Sequence, residues 1–359
     1  MKKKFFIKCL IVFLFFAVFI GIPFAMNYYY DTFNVFHWKN IRFTSAVPNE
    51  NFIKTQYIVQ NPLKFNAFVF GSSRVGYLPL DGLPKEYQGT PLTWYNMTYS
   101  VGTPDLHYLT IKTFIKNNVN IKMILLGFDE LAMHASMDKN ALLRMPYQVY
   151  EDNKLDFILP YLKAKTEKSI INEVNHYEPE KNKAKTDVFY GFGWLGEDFS
   201  LAENPDIERY KVPLDYCEYS LKNAYKDIES IVELCNEHKI KLVLFTNPMW
   251  HSLYRESVSA GYFDFLHNIA KKCEFYNFST LNDYSTNPKY YFEFSHYRPT
   301  LGLAVEKYIF GTDAEREKIQ RDSADELFGA KMNAENVDLI LEKLKVQLVL
   351  EKTDKLIHK

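Results

Sequence analysis

Cysteine is scarce, with four in 359 residues, and one of these, Cys9, lies inside an apolar N-terminal run. Cys217, Cys235 and Cys273 permit at most one internal disulfide with one thiol left over, and their spacing fits no zinc motif. Neither a disulfide framework nor a structural metal is expected. An excess of one charge is also missing. Lys and Arg number 43 against 44 Asp and Glu, a formal net charge of -1, so no overall basic field exists to hold nucleic acid or an acidic polymer. There is no phosphate loop, dinucleotide fingerprint or internal repeat, and no cofactor is implied.

A second long apolar run is absent too, which gives the first one its weight. Three lysines, Lys2 to Lys4, precede Phe5-Phe6-Ile7 and an unbroken apolar stretch from Cys9 to Met26. A hydrocarbon core needs about 20 apolar residues, and Lys8 stands close enough to the basic end to snorkel. The lysines predict a cytoplasmic N-terminus and an extracytoplasmic remainder. A cleaved signal peptide is the competing reading, but Pro23-Phe24-Ala25 offers no small-x-small cleavage site. Lys8 before Cys9 makes a poor lipoprotein acylation site. Tyr28-Tyr29-Tyr30 then marks the membrane exit.

Hydrophobic residues make up 47% of the chain, enough for one large domain. Tyr and Phe number 26 and 29, which serve a core or a sugar-binding cleft equally well. From Ala67, short apolar runs alternate with longer patterned segments, the sign of an α/β fold with a mostly parallel sheet. Strands are predicted at Ala67 to Phe70, Thr93 to Asn96, Lys122 to Leu126, Leu242 to Phe245 and Phe275 to Phe278. A helix is expected after Thr103 as N-cap and Pro104 as its first residue. Residues 28–66 read as a membrane-proximal segment and 67–311 as the main domain. An irregular insertion at about 133–213 reads either as a substrate-side lobe or as a surface excursion. The tail at 312–359 reads as a helical extension, whose apolar face Val337, Ile340, Leu341, Leu344 and Leu348 docks either on the domain or on another protein.

Chemistry concentrates in two short stretches. Phe70-Gly71-Ser72-Ser73-Arg74 puts a serine on the turn after the first strand, and Glu293-Phe294-Ser295-His296 places a carboxylate three residues before a histidine. A nucleophile, a base and an acid to orient the base are thereby available as Ser73, His296 and Glu293. His251 competes as base, without a carboxylate at the matching offset before it.

With Gly102 after the second strand and Gly127-Phe128-Asp129-Glu130 after the third, the order of these fragments resembles the SGNH hydrolase superfamily. That pattern sets serine after strand one, glycine after strand two, Gly-x-Asn after strand three and Asp-x-x-His near the end. The anchor and the Gly-Ser-Ser form are similar to bacterial envelope members, such as D-alanyl transfer proteins and polysaccharide O-acetyl-modifying proteins. The resemblance spans roughly Phe68 to Phe310. It implies a flavodoxin-like parallel sheet of about five strands with helices on both faces, carrying an inserted lobe and an N-terminal transmembrane helix. It also implies an oxyanion hole from the N–H groups of Ser73 and Gly102. Asp129 stands at the position of the family's asparagine donor, with Asn96 as a substitute, and Glu293 stands at the position of its aspartate.

The expected activity is acyl transfer or deacylation on a cell-envelope glycan or related polymer, with a membrane-bound O-acyltransferase as a candidate partner. The alternatives are a catalytically silent domain of the same fold that binds polymer or such a partner, and a purely structural envelope protein.

Overall fold

Runs that are almost wholly apolar form strands covered on both faces, and the parallel sheet is built on three such runs. The computed structural model describes residues 2–130, 141–192 and 218–357. Strands β1 (Ala67–Phe70), β2 (Trp94–Asn96) and β3 (Met123–Phe128) are buried at every residue. With β4 (Lys241–Thr246) and β5 (Phe275–Asn277) they run parallel in the order β5-β4-β3-β1-β2. In chain order this is 2-1-3-4-5, a doubly wound sheet that reverses direction between β1 and β3. The carboxyl ends of those two strands frame the crevice that such a sheet offers a ligand.

The sheet has a sixth strand, Ala330–Met332, pairing antiparallel with β5. The segment after Gly311 is therefore integral to the domain rather than an appended helical extension. The C-terminal helix Val337–Ile357 buries Val337, Ile340, Leu341 and Leu344 in the same core, so its apolar face docks on the domain itself. Cys235 and Cys273 are free thiols; Cys217 lies outside the described residues.

Helix α1 (Lys4–Tyr30) is long and apolar enough to cross a membrane, and its apolar side chains are exposed. It ends at Asp31, whose left-handed backbone (φ 42°) turns the chain. The Asp31 carboxylate then accepts the N–H groups of Val35, Phe36 and His37 at 2.9, 2.9 and 2.7 Å. Helix α2 (Glu50–Gln60) follows, capped by the Asn49 side chain on the Phe52 N–H at 3.0 Å.

The insertion, as far as it is described, is a set of short helices including Tyr147–Asp152, Lys154–Lys163 and Pro179–Phe192; its remainder at 133–140 and 193–213 lies outside the described residues. Phe157, Tyr161 and Phe189 from these helices pack with Val35, Ile41, Phe52 and Ile53 as a second hydrophobic cluster. Asn27 near the end of α1 donates to Leu162 O at 2.7 Å and accepts from Thr166 Oγ1 at 3.0 Å. The insertion thus braces the end of α1 against the domain.

Candidate active site

The turn after β1 is possible only with glycine at its head. Gly71 has φ 154°, and a Cβ there would lie 2.3 Å from Val75 Cγ2. The chain reverses through Ser72, Ser73 and Arg74, with the Val75 N–H bonded to Ser72 O and the Gly76 N–H to Ser73 O, each at 3.1 Å. This presents Ser73 at the carboxyl end of β1, half-buried, with Ser72 and Arg74 on either side turned inward and buried.

Glu293 and His296 occupy the facing strands of a hairpin, Tyr291–Glu293 and His296–Tyr297. His296 Nε2 lies 2.9 Å from Ser73 Oγ, and His296 Nδ1 lies against Glu293 Oε1. The three sequence-predicted residues are therefore brought together in the relay order serine, imidazole, carboxylate. Burial pushes the Glu293 carboxyl up, but His296 and the N–H and O–H of Ser295 outweigh it and hold the group below its ordinary value. Ser295 is the contributor that sequence reasoning missed. Its N–H donates to Glu293 Oε2 at 3.1 Å, and its Oγ lies 3.0 Å from both Glu293 Oε1 and His296 Nδ1. Tyr77, just past the nucleophile turn, packs edge-on against the imidazole at 5.7 Å and against Phe292 at 4.7 Å. The His296 and Glu293 side chains remain 27% and 18% exposed, so the pair is open to solvent.

The four residues expected to form the oxyanion hole divide differently. The Ser73 N–H has no acceptor among the described residues. The Gly102 N–H donates to Tyr99 O at 3.1 Å, which closes a turn and removes it from the role expected of it. Glycine is required at 102 for close approach, since a Cβ there would lie 2.6 Å from Gly71 O. Asn96 is likewise engaged, its Nδ2 on Gly76 O at 3.1 Å and its Oδ1 on the Thr98 N–H at 2.9 Å.

Asp129 is turned beneath the site. Its Oδ2 accepts from Ser72 Oγ at 2.9 Å and Asn247 Nδ2 at 3.0 Å, and its Oδ1 lies 3.6 Å from Arg74 Nη1. Asp129 thus acts as an acceptor tying together the ends of β1, β3 and β4, not as a donor to a developing oxyanion. Arg74 also pairs with the buried Glu130, whose carboxyl burial and Asp129 push up while Arg74 opposes them. Arg74 and Asn247 carried no signal beyond their places after a serine turn and at a strand end.

His251 opens a helix over His251–Ser259, and its Nδ1 lies 2.8 Å from Arg255 Nη1; the base facing Ser73 is His296. Thr103 is the N-cap residue of the helix Pro104–Lys116, its O accepting the His107 N–H at 3.0 Å, but its hydroxyl makes no cap bond and instead accepts from Arg144 Nη2 at 2.6 Å. Val101, between the Tyr99 turn and Gly102, has φ 54°. For a β-branched residue that conformation costs about 1–3 kcal/mol and persists only where its surroundings enforce it. Among the described residues, no group of three or more His, Cys, Asp or Glu is arranged to hold a metal. The chain matches no protein-family model and no curated protein sequence.

Proposed function

We propose that the protein is a membrane-anchored SGNH-type acyltransferase or esterase, its domain outside the cytoplasmic membrane, acting on acyl groups of a cell-envelope polysaccharide or related polymer. The observation that carries this reading is the contact between Ser73 Oγ and His296 Nε2 at 2.9 Å, with Glu293 on the other ring nitrogen, at the carboxyl edge of a doubly wound sheet.

In this mechanism Ser73 Oγ attacks the acyl carbonyl while His296 Nε2 takes its proton, and Glu293 stabilises the imidazolium. Collapse of the tetrahedral intermediate expels the alcohol oxygen, which receives that proton and leaves an acyl-serine. A second hydroxyl, from a glycan or from water, then gives its proton to His296 and takes the acyl group, restoring Ser73. The acceptor decides between transfer and hydrolysis. The three N-terminal lysines and the apolar helix α1 support the sidedness.

One observation favours the second reading, a silent domain of this kind that binds polymer or a membrane acyltransferase. Gly102, Asn96 and Asp129 all have their polar groups committed elsewhere, and loss of one good oxyanion donor costs about 3 kcal/mol of transition-state stabilisation. A membrane-impermeant fluorophosphonate applied to right-side-out vesicles separates the readings. Labelling is expected in the wild type, none in Ser73→Ala, and at least about 100-fold slower labelling in His296→Ala. A folded wild type that resists the probe supports the binding protein, and labelling only after the vesicles are opened reverses the sidedness.

A further inference from the structure

The wall beside the nucleophile turn is the segment Thr98 to Gly102. Tyr99 bridges Ser72 in parallel register, its N–H points to Gly71 O at 3.4 Å, and Gly102 packs against the same carbonyl. Its backbone is held from outside the sheet. Lys54, on α2, is buried and donates to Thr98 O, while the Glu50 carboxylate one turn earlier accepts the Ser100 N–H at 3.2 Å. The two side chains pair with each other at 3.5 Å. A buried ion pair thus grips the chain on either side of Tyr99, immediately before the left-handed Val101.

A buried pair of this kind is a poor source of stability, because desolvating two charges costs about as much as their attraction returns. Burial pushes the Lys54 ammonium down, and Glu50 opposes that shift. What the pair does supply is geometry: one donor and one acceptor aimed at two backbone groups two residues apart. The strained Val101 supplies the second observation, since a β-branched residue stays left-handed only under external constraint. The N-terminus of α2 is in turn fixed to the insertion, with Asn49 Nδ2 donating to Met145 O at 2.9 Å and Tyr161 Oη at 2.7 Å.

We infer that Glu50 and Lys54 are positioning residues: their ion pair clamps the Thr98–Gly102 wall against the Ser73 turn, making the helix that follows the membrane anchor a working part of the site. The inference rests on the acyl-transfer reading of Ser73 for its catalytic consequence, but not for its structural one. Its test therefore needs two readouts on the full-length protein in detergent micelles.

The first is fluorophosphonate labelling resolved into a limiting rate and a half-saturating probe concentration. In Glu50→Leu/Lys54→Met the apolar replacements are of similar volume, which buried pairs commonly tolerate. Its limiting rate is expected to fall about 10- to 100-fold with the half-saturating concentration unchanged, because misplacement by about 1 Å acts on the chemical step. Glu50→Gln/Lys54→Met keeps an acceptor for the Ser100 N–H and recovers part of the rate. It also serves as the test variant should the Leu/Met form fail to fold.

The second readout is amide hydrogen exchange, expected to quicken about 10-fold at 71–73 and 98–102 in the Leu/Met form while the β3 and β4 amides hold. A folded Leu/Met variant with wild-type labelling and unchanged exchange at 98–102 overturns the clamp. A wild type that never labels, combined with faster exchange at 98–102 in the variant, sinks the acyl-transfer reading and leaves the clamp standing.

Discussion

Glu293 would sit poorly in its half-buried place without donors. It receives three: the imidazole N–H, the Ser295 N–H and the Ser295 O–H. Its ionisation therefore runs below the ordinary carboxyl value, so its share of stability is present above the unfolded value and is lost as pH falls through the lower folded one. Ser295→Ala deletes one donor, which raises the Glu293 pKa. The acid limb of a pH–labelling profile should then move to higher pH, with little change at the plateau; an unshifted limb would mean that Ser295 does not tune the carboxylate. Asp129 makes the opposite kind of case. Replacing it by asparagine leaves one oxygen for three partners, so that an NH2 faces either Arg74 or both Ser72 and Asn247. Asp129→Asn is expected to cost about 1–3 kcal/mol in denaturant unfolding and to leave labelling no faster. Faster labelling in that variant would return the residue to the oxyanion site. Ser73, Glu293 and His296 could be read from the chain because each stands in a short pattern whose chemistry needs all three. The destinations of the Gly102 N–H and the Asn96 and Asp129 side chains could not, since tertiary neighbours choose hydrogen-bond partners.

Elements whose apolar spacing was clean were found close to where the pattern put them. The strands at Ala67–Phe70 and Lys241–Thr246 agree within a residue, and the one after Lys122 runs two residues further, to Phe128. Helix α2 left no such trace, because Glu50, Asn51, Lys54, Thr55 and Gln56 are buried polar residues that erase its amphipathic signature. The sixth strand, Ala-Lys-Met, is too short to show a period. The helix Pro299–Phe310, which follows the His296 hairpin, carries a further anomaly in Glu306, fully buried with both carboxyl oxygens unpartnered among the described residues. Burial, with a smaller contribution from Asp81, pushes its carboxyl up to about 9. A raised folded value means the folded state holds the extra proton. Stability on this account is full below the unfolded value of 4.5 and declines as pH rises toward about 9, by at most about 1.4 kcal/mol per pH unit. Glu306→Gln is neutral at every pH, so its unfolding free energy should gain on the wild type progressively between pH 5 and 9. Parallel curves for the two proteins across that range would show that Glu306 does not titrate in the fold.

At the scale of the whole molecule, the chain leaves α1 without a tether. Asp31 reverses direction at once and holds the next turn by three backbone N–H groups, while Asn27 and Thr166 lock the end of α1 to the insertion. Sequence alone left the insertion open between a lobe over the site and a surface excursion, because its partners, Val35, Phe52 and Ile53, are distant in the chain and irregular in spacing. Packed as it is, it fixes the stance of the domain relative to α1. Through Asn49 and α2 it also reaches the wall beside Ser73. Asp31 is the residue on which this stance turns, being buried and the shared acceptor for Val35, Phe36 and His37. Asp31→Ala removes the three backbone contacts and the one to His37 Nδ1, comparable to deleting a helix cap, and is expected to cost about 1–2 kcal/mol. The loss should be local, because the sheet and its core lie elsewhere. Limited proteolysis of the detergent-solubilised protein should therefore cut within residues 31–49 several-fold faster in the variant, releasing a domain whose own melting temperature is nearly unchanged. If cutting there is equally fast in the wild type, the segment behaves as a loose linker and the bracing of α1 does not hold in solution.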